Sequence, residues 1–521
     1  MKALTRGLTR NDQILIGIVG AVGTGVLFSS AGMAAAAGPG VVFGWILGGI
    51  LYGFIMLTFI ELAQTYPEAG GPTRYSIYSH GRVTNLLNSM ADLLWYLLIG
   101  PIEALATVEG INYFWPHLIA ASGTPTLLGG VLGAIFLLFF IPFNYFGVKV
   151  FANSVNSLGT VKLVFYVLAA IGFVTVARFG NFVHYGGVAP FGFNGIFLAI
   201  PLGMFAYGGI RVVADYSEEL VDPSSVRHTF LWILVGQTAI YVLFSVAFLV
   251  SLNWSALHLH PGDWASISSI PGNPFLSIAS DSHLGWLVPV TILIAVLGPF
   301  MTGYIYLGAG SRVLLGIARS GFVSRRLGQI SEDYRIPLWA LGCLAVVGAV
   351  LAFLSSPVPT IYTLIEDAVV AGYVGLATNP VVMLSLRRNG RRPVAPLRGA
   401  SVIAVLAFAG ASLIVYWSGW PSVPYAMAVI AVGTLIFGYI YKVTANLRNA
   451  LWYIVYMLFL TLMAYIGGVG AKSVFSVNLG SLIVVVVCCA VFLPWGVASR
   501  LGKEEMDVAN SENDLRLASA T

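Results

Sequence analysis

An all-α polytopic membrane protein is the fold class this sequence predicts. It reads as two inverted five-helix repeats with broken helices 1 and 6, plus about four extra C-terminal helices, about fourteen transmembrane helices in all. Three observations carry that reading. With 58% apolar and only 9% charged residues in a chain of 521, there are too few polar side chains to cover a soluble globule of that size. The apolar residues fall in runs of roughly 20 or more, the length a helix needs to cross the hydrocarbon core. Lipid leaves no backbone group unpaired, so these runs read as helices rather than alternating barrel strands. Two of the runs, the first and the sixth, are interrupted by glycine at corresponding places.

In chain order, a polar N-terminal segment (1–12) leads into a first repeat over 13–180, with spans at 13–36, 41–66, 84–116, 125–145 and 150–177. A second repeat over 194–390 holds spans at 194–221, 226–251, 284–317, 336–356 and 359–386. Four additional helices over 396–498 run 398–418, 422–441, 449–467 and 477–498. The tail, 499–521, is polar and reads as disordered. No cleavable signal is evident, because the first apolar run is long and lacks a small-residue cleavage site.

The loops orient the chain. Lys2, Arg6 and Arg10 precede span one, Arg74 and Arg82 follow span two, and Arg319, Arg325, Arg326 and Arg335 follow span eight. Arg387, Arg388, Arg391, Arg392 and Arg398 surround the loop after span ten. All fall on one side, with Arg178 and Lys472 the exceptions, so both termini are expected in the cytoplasm of a multi-pass cell-membrane protein. The net charge of +5 is then topology rather than a nucleic-acid footprint. Cys343, Cys488 and Cys489 lie in apolar spans and read as core filler, since a disulfide between the adjacent pair would be strained.

The first span contains "GIVGAVGTGVLF" (17–28), with glycine at 17, 20, 23 and 25. A close helix–helix contact is one reading. The sixth span, "AIPLGMFAYGGIRVVADYSEELVDP" (199–223), gathers Pro201, Gly203, Gly208 and Gly209 around one point. Paired interruptions in two halves are the mark of a transporter site built on broken helices, and this is the favoured reading. At the first break the amides of Gly23, Thr24 and Gly25 open a half-helix and suit a carboxylate. The carbonyls near Ala21 and those of Phe205 and Gly208 suit an ammonium group. A carboxylate acceptor beside an ammonium acceptor is an amino acid site. Val22, Ala206, Tyr207, Gly209, Arg211 and Glu103 are the further pocket and gate candidates.

Three stretches carry a resemblance: "GAVGTGVLF", "ELAQTYPEAGGPTRYSIYSHG" (61–81) and "FAYGGIRVVADYSEELVDP" (205–223). Over roughly 12–390 the chain resembles the amino acid, polyamine and organocation (APC) transporter superfamily, amino acid permeases with a leucine-transporter-type fold. The resemblance implies that the amides of Gly23, Thr24 and Gly25 hold the substrate carboxylate and that the carbonyls of Ala21, Phe205 and Gly208 take its amino group. It implies too that Phe205 closes over the pocket from outside. "GVKVFANSVNSLGTVKLVFY" (147–166) is similar to the proton-coupled bacterial members, in which a lysine matching Lys162 stands where sodium sits in sodium-driven relatives. A lysine in an apolar span is costly to keep charged, which suits it to exchange a proton as helices move. A permanently charged brace, held by carbonyls of spans one and eight, is the competing reading.

Arg211 departs from many relatives, which carry an acidic residue there. A fixed positive charge just past Gly208 and Gly209 disfavours cationic substrates and favours an anionic group. Pairing with Asp215, four residues on, is an equal alternative. Glu103 either faces the pocket or bridges to Arg211 or Lys162. Glu61 and Glu109 read as structural, and Glu218 and Glu219 as anchors of the inner mouth. Pro299, Thr302 and Tyr304 either line the pocket or pack the core.

An enzyme is the rival class, but His258 and His260 without further ligands make no metal site, and no cofactor motif or phosphate loop appears. A channel fits two broken helices poorly. The expectation is a secondary amino acid transporter working by alternating access, proton-coupled and sodium-independent, with an amino acid, protons and the bilayer as partners and no nucleic acid. The alternatives are an exchanger not driven by protons, or a carrier of a related amine or small organic anion.

Overall fold

A computed structural model describes residues 3–270, 273–358 and 370–518, with the side chains of Phe205, Ser269, Ala371 and 512–518 outside the described set. The chain opens with a capping box. Thr9 accepts from the Asp12 amide at 3.3 Å while the Asp12 carboxylate accepts from the Thr9 amide at 2.8 Å, starting helix α1 (Arg10–Ala21). Helix α2 (Thr24–Ala37) follows after a two-residue gap, and α3 (Val41–Thr65) continues it through a tight turn at Gly38–Gly40. The helical stretch Thr24–Thr65 has 42 residues, about 63 Å at 1.5 Å per residue, twice the hydrocarbon thickness. Gly38, at φ 59°, together with Pro39 marks where one crossing ends and the next begins.

Next come α4 (Arg82–Ile111), α5 (Leu127–Phe139) and α6 (Val148–Thr175). The sixth span is a bent pair, α7 (Gly192–Met204) and α8 (Gly209–Asp215), joined by a 3-10 turn at Phe205–Gly208. Then follow α9 (Val226–Ser251), α10 (Leu287–Arg319), α11 (Leu338–Leu354), α12 (Val370–Leu376) and α13 (Thr378–Arg388). Part of the expected span 359–386 lies outside the described residues. The final helices are α14 (Ala400–Ser418), α15 (Ser422–Ile440), α16 (Leu447–Ile466) and α17 (Val477–Val487), the last running on through a π turn to Ala498. Among the described residues ten helices are long and apolar enough to cross a membrane, or eleven with the bent pair.

The interior is α1, α8 and α10 packed against α4 and α6. Pro101 is accommodated within an unbroken α4. Both termini meet one face. The amides of Gly7 and Leu8 donate to the Glu219 carbonyl at 2.9 and 3.0 Å, and the Leu501 amide to the Ser79 carbonyl at 2.8 Å. The tail differs from the expected disorder: Lys503–Ala518 is a helix, α18, with Met506 and Asn510 buried. Asn510 accepts from Tyr66 Oη at 2.6 Å and donates to the Tyr78 carbonyl at 3.3 Å. Two buried anchors one turn apart escape composition, because a mostly polar helix docks by a narrow stripe. The cysteines also divide: Cys488 is buried, but Cys343 is exposed and Cys489 half-buried, so helix facing rather than hydropathy sets their place.

Candidate functional site

At the first break, α1 stops at Ala21 and α2 starts at Thr24, with Val22 buried between them. The new helix presents its amino-terminal amides, a positive dipole end inside the membrane. Glu103, from α4, answers it. Its Oε2 accepts from the Thr24 amide at 3.3 Å and from the Thr24 hydroxyl at 2.5 Å, while Oε1 has no hydrogen-bond partner. The Gly23 amide turns back to the Ala21 carbonyl at 3.2 Å. A Cβ on Gly23 would press on Thr302 Oγ1 and lie 3.2 Å from Glu103 Oε2, so glycine there is what lets α4 and α10 approach the break. Gly25 is buried in the first turn of α2.

Lys162 is wholly buried on α6. Its Nζ donates to the Val19 carbonyl at 2.8 Å, the Gly298 carbonyl at 3.0 Å and Thr302 Oγ1 at 3.4 Å. One ammonium with three donors thus ties α6 to α1 and α10, using a carbonyl of each. Thr302, one of three α10 positions singled out, touches both the Lys162 ammonium and the space at Gly23. Tyr304 instead stacks on Phe143 at 4.7 Å, a packing role, and Pro299 is an interior residue of α10.

The bend of the sixth span differs in kind. Gly208 (φ −59°, ψ −17°) and Gly209 (φ −56°, ψ −33°) both stay in the right-handed helical region, so the chain tightens and turns by 45° without an open gap. The Tyr241 hydroxyl, from α9, donates toward the Ala206 carbonyl at 2.6 Å and the Ala21 carbonyl at 3.1 Å. It bridges the carbonyl sides of both interruptions. The Tyr207 side chain points away, donating to the Trp45 carbonyl at 2.7 Å. A Cβ on Gly209 would strike the Gly17 carbonyl, so close packing and interruption are both at work in these glycines. The gating role expected of the Phe205 ring lies outside the described residues.

Arg211 is buried and pairs with Asp92 of α4, not with Asp215. Four-residue spacing on α8 would have allowed the Asp215 pair, but Asp215 instead accepts from Tyr96 Oη, and the α4 face supplies Asp92. Arg211 Nη1 also donates to the Gly372 carbonyl of α12 at 3.3 Å. Its guanidinium lies 5.8 Å from the Trp95 ring centre and 5.6 Å from that of Tyr96. Glu103 makes its hydrogen bonds to Thr24 rather than to Arg211.

The remaining carboxylates brace one face. Glu61 pairs with Arg387, Glu218 with Arg319, and Glu219 with Arg312 at 2.8 Å. Glu109 lies instead beside Asn112 and Tyr113 in a surface cleft of the opposite face. Residues that sequence reasoning missed are Tyr241, Asp92, Tyr96 and Trp95. Asp92 had a signal, a carboxylate within an apolar span. Tyr241 had none, since a tyrosine in a span is ordinary.

The chain is 30% identical over 513 aligned residues to the aspartate-proton symporter of Bacillus subtilis (strain 168), covering 95% of this chain and 97% of the relative. To the glutamate/serine transporter AimA of the same organism it is 27% identical, covering 99% and 98%. The aromatic amino acid transport protein AroP of Escherichia coli (strain K12) is 24% identical over 63% of this chain and 70% of the relative. A profile of the amino acid permease family matches residues 13–422, a stretch that holds both interrupted helices, Lys162 and Arg211. The chain belongs to the amino acid permease family.

Proposed function

We propose that this permease carries amino acids across the cell membrane by alternating access, driven by protons and without sodium. The observation that carries the reading is the carboxylate of Glu103 seated on the Thr24 amide and hydroxyl. That seat accepts a carboxylate in the middle of the protein, next to the carbonyl end of α1, and an amino acid brings both complementary charges. The amides of Gly23, Thr24 and Gly25 take the substrate carboxylate, and the carbonyls of Ala21, Phe205 and Gly208 its amino group. Val22, Ala206 and Gly209 shape the pocket.

The proton enters through the same exchange. A substrate carboxylate that claims Thr24 displaces Glu103, whose charge would then stand buried without a donor, and a proton from outside neutralises it. Lys162 holds α1 to α6 and α10 while charged, and loosens them when it gives up its proton. Its seat between two carbonyls and a hydroxyl supports sodium independence, because the ammonium fills a place a cation would need. A name that includes proton symport in a relative matched across nearly its whole length agrees with this reading. The names of the first two relatives point to acidic or small polar substrates.

Fourteen crossings suit the architecture. Splitting Thr24–Thr65, pairing α1 with α2 and α7 with α8, and adding the 17-residue α11 and the 359–386 stretch reaches that number. The first two groups of five form inverted repeats over 13–180 and 194–390, with four more helices over 396–498. The arginine-rich face that gathers both termini is cytoplasmic. Binding of labelled amino acids to the purified protein tests the site: decarboxylated and N-blocked analogues should fail to compete. In proteoliposomes, a lower outside pH should drive accumulation in sodium-free buffer. Accumulation that needs sodium and ignores pH would defeat the coupling.

A further inference from the structure

Beyond the groups that hold an amino acid backbone, the interior contains a second charged centre. Arg211 lies three residues past Gly208, about 4.5 Å along the helix and on the same face. The Trp95 ring connects the two places: its Cζ2 would stand 2.9 Å from a Cβ on Gly208, and the Arg211 guanidinium lies 5.8 Å from its centre. A substrate with its amino group at the Gly208 carbonyl would have its side chain within about one helical turn of Arg211, beside the Trp95 ring and the Tyr306 hydroxyl that border Gly208.

The state of that guanidinium suggests what it receives. Its Nε, buried, has no hydrogen-bond partner, while Nη1 and Nη2 are taken by the Gly372 carbonyl and by Asp92. Asp92 does not depend on Arg211 for its donors. It also accepts from Thr73 Oγ1 at 3.0 Å and from Asn88 Nδ2 at 3.4 Å. Asp215 is held separately by Tyr96. Asp92 can thus release the guanidinium and keep both donors on Oδ2, with a proton neutralising the Oδ1 that Arg211 leaves, whereas Arg211 cannot shed its charge and needs an anion.

We infer that Arg211 is the receptor for the side-chain carboxylate of an acidic amino acid, and that Asp92 is the resident counter-ion which that carboxylate replaces. Aspartate and glutamate carry the second carboxylate one or two methylenes from Cα, a reach of the same order as one helical turn. The planar fork of arginine then binds it through two N–H groups, Nε among them. A neutral side chain of the same shape leaves Arg211 with Asp92 and gains nothing from it. A cationic one meets a like charge.

This inference rests on the reading that the backbone groups bind at the two interruptions. The experiment is competition binding of aspartate, asparagine, glutamate and glutamine on the purified full-length protein, alone and with substitutions. The native protein should prefer each acid over its amide by about 100-fold. Arg211→Gln should reduce that ratio at least tenfold, whatever the level of residual binding. Asp92→Asn, which removes the competitor, should raise it. If Arg211→Gln does not fold, Arg211→Lys serves, with an intermediate ratio expected because the charge stays and the fork is lost. A ratio near one in the native protein, or one unmoved by the arginine substitution, or one that falls in Asp92→Asn, overturns the inference. Failure of every amino acid to bind would instead overturn the proposed function.

Discussion

The two interruptions look alike in sequence, each a cluster of glycines within an apolar span, yet they are built differently. The first is a gap: α1 ends, two residues leave the helix, and α2 begins with an amide that binds a carboxylate. The second is a bend through a 3-10 turn whose glycines keep helical dihedrals. The difference assigns them different chemistry. A gap presents helix-start donors that have no partner within the helix, which suits an anion such as the Glu103 carboxylate on Thr24. A bend keeps helical dihedrals and sets the direction of the next helix, α8, which carries Arg211 into the interior. Lys162 reinforces the asymmetry, because its ammonium binds the carbonyl of Val19 just before the gap and makes no such contact with the bend.

That contrast can be broken by substitution. The largest effect is expected at Lys162. Lys162→Ala leaves two carbonyls and a hydroxyl without their donor and should reduce concentrative uptake by about 100-fold or more. Lys162→Arg keeps the charge but does not titrate in the accessible range. It should lose accumulation while still exchanging substrate at equal concentrations, and accumulation at native rates would remove Lys162 from the coupling.

Next come the glycines. Gly23→Ala places a methyl against Thr302 and Glu103 and should weaken substrate affinity by more than its loss of stability accounts for, read as binding to the folded protein beside its thermal midpoint. Gly209→Ala places one against the Gly17 carbonyl, backbone that cannot give way, and should lower stability by about 1–3 kcal/mol. If both substitutions act only on stability, the functional distinction between gap and bend fails.

A smaller effect is expected from Tyr241→Phe, which removes the hydroxyl bridging the Ala21 and Ala206 carbonyls. Its single proton, shared between the two carbonyls, is worth about 1 kcal/mol, and loss of the bridge that positions them predicts several-fold weaker binding, read by titration calorimetry. Were binding to tighten instead, Tyr241 would be a competitor for those carbonyls rather than a support. Smallest of all, Asn510→Ala should lower the melting temperature slightly and leave substrate affinity unchanged, since α18 docks on the face of the molecule away from both interruptions.

Much of this was legible because the bilayer is a stringent solvent. Composition and run length determined a helical membrane protein, and the glycine clusters marked where two helices depart from regularity. Gly23, Thr24, Glu103 and Lys162 were picked out as single residues, since polar or flexible groups inside lipid are costly and therefore conspicuous. The partners were less legible. Glu103 stood open between three roles, and only the approach of α4 to the first break put its carboxylate on Thr24. Arg211 had an eligible partner on its own helix, yet the counter-ion came from Asp92, more than a hundred residues away in sequence.

By itself, then, the sequence determined the class of fold, the two places where helices are interrupted, and which polar and charged residues stand out in an apolar setting. These follow from hydropathy, helix periodicity and the cost of burying polar groups, all of which act along the chain. Tertiary structure alone decided which interruption opens and which only bends, which carboxylate meets which cation, and that the polar tail folds back as a helix. Those outcomes depend on how far one helix slides and rotates against another, and side chains at a distance settle that geometry only when the whole bundle is packed.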